Sequence, residues 1–183
     1  MGKSHLSEED IKLRYITPAI QNAGWDNKQI RMEYAFTAGR IILRGNITAR
    51  GRKKSADYLL SYKNNFPLAI VEAKDNTKPV GAGLQQAIDY AKSLDVPYVY
   101  ASNGDGFVEQ NLITGEVKEL KLEEFPSPEA LYQRYRIDRG FDEAEEKVML
   151  EPYYYIPNYK TPRYYQRVAI NRTVDAVAKG RNR

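Results

Sequence analysis

The sequence has no cysteine and a single histidine, His5. Without cysteine the chain can form no disulfide framework, and one histidine cannot supply an ordinary structural zinc site. A metal ion bound here would have to be a hard cation held by carboxylate oxygens. Ser-His or Cys-His catalysis is also unsupported, because His5 lies in a terminus that we expect to be frayed.

A long apolar run is also missing. No stretch approaches the ~18 apolar residues that a membrane-spanning helix needs, and the opening segment, "MGKSHLSEED", turns acidic where a secretory signal would be apolar. With 183 residues, 42% of them hydrophobic and 28% charged, the composition is that of a globular protein. We therefore expect a cytoplasmic protein with no membrane partner.

The charge balance is mildly basic, with a net charge of +4, which is compatible with a nucleic-acid partner but weak evidence alone. The placement of the cations is more informative. Several cluster shortly before Asp57: Arg44, Arg50, Arg52, Lys53 and Lys54. A phosphate-facing patch and a solvated charged loop are equally compatible with this cluster.

The order of patterns predicts a mixed α/β domain, with a β-sheet flanked by helices. Ser7 followed by acidic residues starts a helix that Gly24 ends, and a glycine-flanked helix crosses over between two strands. The remaining predicted elements are strands at 29–36, 56–62, 67–73 and 96–102, a loop or ragged hairpin over 37–55, the crossover helix at 83–94, a hairpin around 114–115, and helices at 128–136 and 162–179.

The stretch "ADYLLSYKNNFPLAIVEAK", residues 56–74, carries the candidate chemistry. If Asn64-Asn65 is the turn of a hairpin, Asp57 lies directly opposite Glu72, and Lys74 shares their face. Opposed carboxylates repel each other and, when buried, force one to take up a proton, unless a divalent cation lies between them. Such a site suits phosphodiester hydrolysis. The alternative is a strand that leaves the sheet at Glu72 with its charges solvated.

Asp57, followed by Glu72-Ala73-Lys74 at the end of an apolar strand, resembles the PD-(D/E)xK nuclease motif, with Ala56 where the name of the motif has proline. Gln86 and Tyr90, four apart on the following helix, match the Q-x-x-x-Y element of a subset of these nucleases. The ordered string around these residues is similar to the N-terminal nuclease domain of type I restriction enzyme R subunits. The resemblance covers roughly residues 6 to 110 and implies a restriction-endonuclease-like fold.

Residue by residue, the resemblance implies that Asp57 and Glu72 are metal ligands and that Lys74 is the catalytic lysine. Ala73 would offer its backbone carbonyl to the metal. The implied cofactor is Mg²⁺ or Mn²⁺, and the donor set is compatible with one ion or two.

The resemblance places other residues around this site. Gln86 and Tyr90 would contact DNA or orient the lysine. In many such nucleases an acidic residue of the first helix also reaches the metal; Glu8 is the best match, and Glu9 is its rival.

After about residue 140 the sequence becomes rich in tyrosine and proline. The segment "TPRYYQRVAINRTVDAV" resembles the stretch that precedes the first ATP-binding motif in superfamily 2 helicase-like translocases. Gln166 would match the glutamine that reads adenine in that family, with Arg163 beside it; the alternative is an exposed glutamine in a linker helix. The phosphate loop G-x-x-x-x-G-K-[ST] is absent, so we expect no ATP hydrolysis, and ATP would serve only the full-length protein.

The expected division is therefore a nuclease domain at 1–140 and, at 141–183, a linker with the truncated start of a helicase-like motor. The resemblance implies an endonuclease that cleaves unmodified foreign DNA after ATP-driven translocation, with double-stranded DNA and the modification and specificity subunits as partners. Two alternatives are a non-catalytic DNA-binding or docking module and a stand-alone repair nuclease. Intact Asp57, Glu72 and Lys74 argue against the docking module, and the helicase-like tail argues against the stand-alone nuclease.

Overall fold

The computed structural model describes residues 5–37, 42–44, 47–49, 53–63, 66–151 and 162–180, with the backbone alone in 42–44 and 47–49. The strands are β1 (Ile30–Thr37), β2 (Ile42–Arg44), β3 (Ile47–Ala49), β4 (Lys53–Lys63), β5 (Phe66–Ala73), β6 (Tyr98–Ser102), β7 (Phe107–Asn111) and β8 (Val117–Leu120). The α-helices are α1 (Glu8–Ile11), α2 (Thr17–Asn22), α3 (Leu84–Leu94), α4 (Pro128–Arg139), α5 (Glu143–Met149) and α6 (Tyr164–Ala178).

Six strands form one sheet in the order β1-β4-β5-β6-β7-β8, and β2 pairs with β3 in a separate two-stranded sheet. The β5–β6 pair is parallel, while the other neighbouring pairs are antiparallel. Parallel strands need a crossover connection, and α3 provides it. The predicted mixed α/β sheet with a crossover helix is therefore confirmed, and β2 and β3 place a hairpin within the predicted 37–55 region.

Helices cover the central strands on both faces, which explains why β5 is apolar along its length rather than alternating. Leu68, Ala69, Ile70 and Val71 are all fully buried. The core on one face joins the first helical segment and α4 to the sheet, and the core on the other face joins α3 to the sheet. Two packed layers therefore fix the end of β5 in position.

The first helical segment is one continuous element with an irregular turn inside it. The Ser7 hydroxyl accepts a hydrogen bond from the backbone N–H of Asp10 at 3.2 Å and so caps α1. A π-helical turn, Lys12–Ile16, joins α1 to α2. Gly24 has φ +100°, a left-handed conformation that favours glycine, and it ends the segment as predicted.

The register of the β4–β5 hairpin agrees with the prediction, although the pairing is irregular near the turn. Lys63 pairs with Phe66, Ser61 with Pro67 and Tyr58 with Val71, so one shift of register is cancelled by the next. One residue beyond the last pair, Asp57 lies opposite Glu72. The predicted turn at 64–65 lies outside the described residues.

The segment after residue 140 packs against the domain. Phe141 and Met149 are buried in the same core as the first helix and α4. On α6, the guanidinium of Arg172 lies 2.9 Å from Asp95 at the end of α3. The predicted helix over 162–179 is confirmed as α6, whereas α5 was not predicted. No helix within the described ranges is long and apolar enough to span a membrane.

Trp25 closes the core at the end of the first helix. It is 3% exposed, and its indole N–H donates to the carbonyl of Pro126 at 2.9 Å. We expect Trp25→Ala to lower the free energy of unfolding by about 3–5 kcal/mol, because it leaves a large cavity. Urea denaturation measures this loss. Leu13→Ala, at a position 72% exposed, is the control, and an equal loss there would contradict the assignment.

Candidate active site

The candidate site lies at the end of β5, between the first helix and the start of α3. Asp57 and Glu72 contact each other's strands directly. The backbone N–H of Asp57 donates to Oε1 of Glu72 at 3.3 Å, and the backbone N–H of Ala73 donates to Oδ2 of Asp57 at 2.8 Å. The two carboxylates are thus held side by side by the backbone of the hairpin.

Glu72 is the more deeply buried of the two acidic residues, with only 1% of its surface exposed. Its Oε2 accepts a hydrogen bond of 2.6 Å from the side-chain amide of Gln86 on α3. Burial, followed by the charge of Asp57, raises the pKa of Glu72 to about 8, against the opposing charge of Lys74. A carboxyl group with this environment gains a large electrostatic benefit from a nearby cation.

Gly83 allows α3 to start this close to the site. A Cβ at this position would lie 3.1 Å from Cβ of Glu72 and 3.6 Å from Cγ of Lys74. The turn Val80–Gly83 therefore packs directly on the two motif residues. A larger residue here would press on Glu72 and only touch Lys74, so the glycine sets the distance between α3 and β5.

Tyr90 lies on α3 one helical turn after Gln86. Its ring packs edge-on against Phe36, with ring centroids 5.2 Å apart, and the ammonium of Lys54 lies 5.2 Å from its centroid. Burial and the charge of Glu72 raise the pKa of Tyr90. Tyr90 therefore links one member of the predicted basic cluster, Lys54, to the helix that carries Gln86. The side chains of Arg44, Arg50 and Arg52 lie outside the described residues.

Lys74 follows β5, and its backbone N–H donates to the carbonyl of Ser102 at 2.8 Å. Its ammonium lies 3.5 Å from Oε1 of Glu8 on α1. The rival residue, Glu9, instead lies 3.4 Å from the ammonium of Lys12. Both candidate acids of the first helix therefore reach a lysine at the site, and the choice between them as a metal ligand stays a prediction.

The donor set suits a hard divalent cation only in part. Within the described portions of the chain, no three carboxylate or histidine side chains lie close enough to form a metal-binding cluster. Asp57 and Glu72 nevertheless place carboxylate oxygens on adjacent strands, and one of these groups is buried. Carboxylate oxygens and a backbone carbonyl are the ligands that Mg²⁺ and Mn²⁺ prefer. The pair fits a cation that takes its other ligands from water or substrate.

Sequence reasoning missed Lys12 and Glu33. The ammonium of Lys12 lies 2.6 Å from Oε1 of Glu33 and 3.4 Å from Oδ1 of Asp57. Burial alone would lower the pKa of Lys12, but the hydrogen bond to Glu33 and the charge of Asp57 outweigh burial, and the pKa rises. A signal was present, because Lys12 lies four residues before the buried Ile16 and hence on the apolar face of the helix.

The candidate nucleotide-binding residues, Arg163 and Gln166, lie at the start of α6, far along the chain from the carboxylate site. The side-chain carbonyl of Gln166 accepts a hydrogen bond of 2.9 Å from the backbone N–H of Arg163. This contact satisfies a free backbone donor at the start of the helix. The adenine-reading role of Gln166 stays a prediction.

The chain matches the family model described as the N terminus of the type I restriction enzyme R protein, over residues 7–126. The chain belongs to this family. It is also 45% identical over its whole length to an Escherichia coli protein described as the type I restriction enzyme EcoAI endonuclease subunit. The chain spans 23% of the length of that subunit.

A solved structure supports the same family and fold. It is a fragment assigned to an HsdR subunit of a type I restriction enzyme from Vibrio vulnificus YJ016. The match has a TM-score of 0.81 at 40% identity and covers 97% of this chain and 34% of that one. This R-protein N-terminal region therefore shares its mixed α/β architecture with a solved member.

The raised pKa of Glu72 predicts a pH-dependent stability in the absence of divalent ions. The native state keeps the proton on Glu72 up to about pH 8, whereas a glutamate in the unfolded chain ionises near 4.5. Stability should therefore fall as the pH rises between these values, because the unfolded state releases this proton first. Glu72→Gln should remove this slope.

Urea denaturation in EDTA across pH 4–9 measures the slope. Glu116→Gln, in the exposed turn between β7 and β8, is the matched control. A wild type whose stability rises from pH 5 to pH 8 relative to Glu72→Gln would contradict the assignment.

Proposed function

We propose that this chain is the DNA-cleaving region of a type I restriction enzyme R subunit, a Mg²⁺- or Mn²⁺-dependent endonuclease. One observation carries the proposal: the buried Glu72 lies beside Asp57, each carboxylate accepts a backbone N–H from the other strand, and Lys74 follows two residues after Glu72. Such a pair is costly for the fold and becomes useful when a cation binds to it. The name of the E. coli relative, an endonuclease subunit, supports the same activity.

The residues would divide the work of phosphodiester hydrolysis. Asp57, Glu72 and the carbonyl of Ala73 would hold the ion. The bound ion supplies Lewis-acid polarisation of the phosphate and a water of lowered pKa. Lys74 would orient the attacking water and stabilise the negative charge that develops on the phosphate oxygens. Oxygen of water bonds to phosphorus, one P–O ester bond breaks, and a phosphate monoester and a hydroxyl result.

Gln86 and Tyr90 would support this site from α3. Gln86 already holds Oε2 of Glu72 at 2.6 Å, so it would orient this carboxylate toward the ion. On the same helix as Gln86, Tyr90 packs against the ammonium of Lys54. An ammonium and a tyrosine hydroxyl suit DNA phosphates, and contacts to phosphates carry no sequence information by themselves. We therefore infer cleavage without base recognition by this region.

The whole-protein functions follow from the family and are part of the proposal. Sequence recognition would come from modification and specificity subunits. ATP would power a translocating motor, and residues 141–183 would connect the nuclease region, 1–140, to it. Gln166 and Arg163 at the start of α6 would then belong to the nucleotide site of the full-length protein.

The test combines ion binding with cleavage of supercoiled plasmid. We expect the wild type to bind Mn²⁺ by calorimetry, and Asp57→Asn and Glu72→Gln to lose this binding. Lys74→Met should keep ion binding. Any nicking should fall at least about a hundredfold in all three variants, because each removes an acid-base or metal contribution.

Glu116→Gln is the control. Glu116 lies in the turn after β7, at the opposite end of the sheet from Ser102 and Lys74. Ion binding without nicking would support the site and assign cleavage to the assembled enzyme. If the wild type shows no ion binding that depends on Asp57 and Glu72, even with DNA present, the nuclease proposal is wrong.

A further inference from the structure

Lys12 is a buried cation outside the nuclease motif. Its side chain is 9% exposed, and its ammonium lies 3.4 Å from Glu9, 2.6 Å from Glu33 and 3.4 Å from Asp57. Burying an ammonium is expensive unless anions surround it. The three nearby carboxylates offset the desolvation of the ammonium, and one of them is the proposed metal ligand Asp57.

The sheet aligns these acidic groups in a row. Met32 pairs with Tyr58 and Tyr34 with Ala56, so Glu33 lies opposite Asp57, which itself lies opposite Glu72. Three carboxyl groups therefore occupy the same level of three adjacent strands. Like charges in direct cross-strand positions destabilise a sheet. Lys12 supplies a positive charge at this row and contacts two of its three members.

The backbone on both sides of the contact is unusual. Glu33 has φ +49° in the middle of a strand, a conformation that residues other than glycine rarely adopt and that carries strain. The π-helical turn begins at Lys12, whose carbonyl accepts the backbone N–H of Thr17. Such turns are frequent at functional sites. Both irregularities occur at the residues that form the 2.6 Å contact.

We propose that Lys12 is a positioning residue that serves as the resident counter-cation of the carboxylate site. It holds Oδ1 of Asp57 while the N–H of Ala73 holds Oδ2, so the carboxylate is oriented before a divalent ion arrives. The same fixed charge repels the ion and thereby limits its affinity. This role rests on the proposed metal-dependent function and adds a determinant of ion affinity that lies outside the motif.

A purely structural ion pair between the first helix and the sheet makes the opposite prediction. Removing a structural pair would loosen the site, so ion affinity would stay unchanged or fall. Removing a counter-cation exposes Asp57 to the ion, so affinity would rise. The sign of the change therefore separates the two roles.

The experiment measures Mn²⁺ affinity by calorimetry for wild type, Lys12→Met and Lys12→Arg. A unit charge about 6 Å from a divalent ion costs about tenfold in affinity even at the dielectric constant of water, so Lys12→Met should bind Mn²⁺ about tenfold more tightly. Lys12→Arg keeps the charge and should stay close to wild type. Unchanged or weaker binding by folded Lys12→Met would overturn the proposal.

Arg14→Met is the matched control. Arg14 lies in the same helical segment, and its substitution by methionine also removes one positive charge. Its side chain is 58% exposed and pairs with Asp10 at 3.1 Å, away from the carboxylate pair. Its substitution should leave Mn²⁺ affinity unchanged. A rise equal to that of Lys12→Met would show an effect of net charge alone and would also overturn the proposal.

A second measurement needs no metal ion. In EDTA, Lys12→Met should lower the melting temperature, and adding Asp57→Asn to it should recover part of the loss, because the uncompensated repulsion disappears. Additive effects in this double-mutant cycle would contradict the link between Lys12 and Asp57. If the wild type binds no Mn²⁺, the nuclease proposal and the affinity role of Lys12 both fail. Intact ion binding and coupling without nicking would support the role of Lys12 while the cleavage proposal alone fails.

Discussion

The contact between Asp57 and Glu72 is the constraint around which this region is built. Two carboxyl groups on adjacent strands, one of them almost fully buried, cannot both ionise without strong repulsion in a medium of low dielectric constant. The groups described as hydrogen-bonding to their side chains are all N–H or ammonium donors: the backbone amides of Asp57 and Ala73, the side-chain amide of Gln86 and the ammonium of Lys12. The surrounding fold therefore compensates negative charge.

The rigidity of the site comes from its position in the sheet. β5 is a central strand covered on both faces, so the chain at Glu72 has little freedom to relax. Gly83 then brings the start of α3 against the same residues. Because protein interiors are close-packed, a small change in the contact between Gly83 and Glu72 would shift the carboxylate of Glu72.

Local patterns were sufficient to predict that Asp57 lies opposite Glu72, whereas the assignment of the motif came from the family resemblance. The apolar run of β5, the alternation of strands and the short hairpin connection put Asp57 opposite Glu72, and the two irregular pairings near the turn cancel. Lys12 and Glu33 could not be placed in this way. Their contact depends on a π-helical turn and on the register of β1 against β4, and both are set by packing between segments distant in sequence. α5 was missed because a helix of seven mostly charged residues has little apolar periodicity.

The attachment points of α6 have a mechanical meaning. The hydroxyl of Tyr164 donates to the carbonyl of Thr37 at the end of β1, and Arg172 pairs with Asp95 at the end of α3. These two elements carry Glu33 on one side of the site and Gln86 with Tyr90 on the other. α6 is therefore a brace that ties the end of β1 to the end of α3, and displacing it would remove both ties at once.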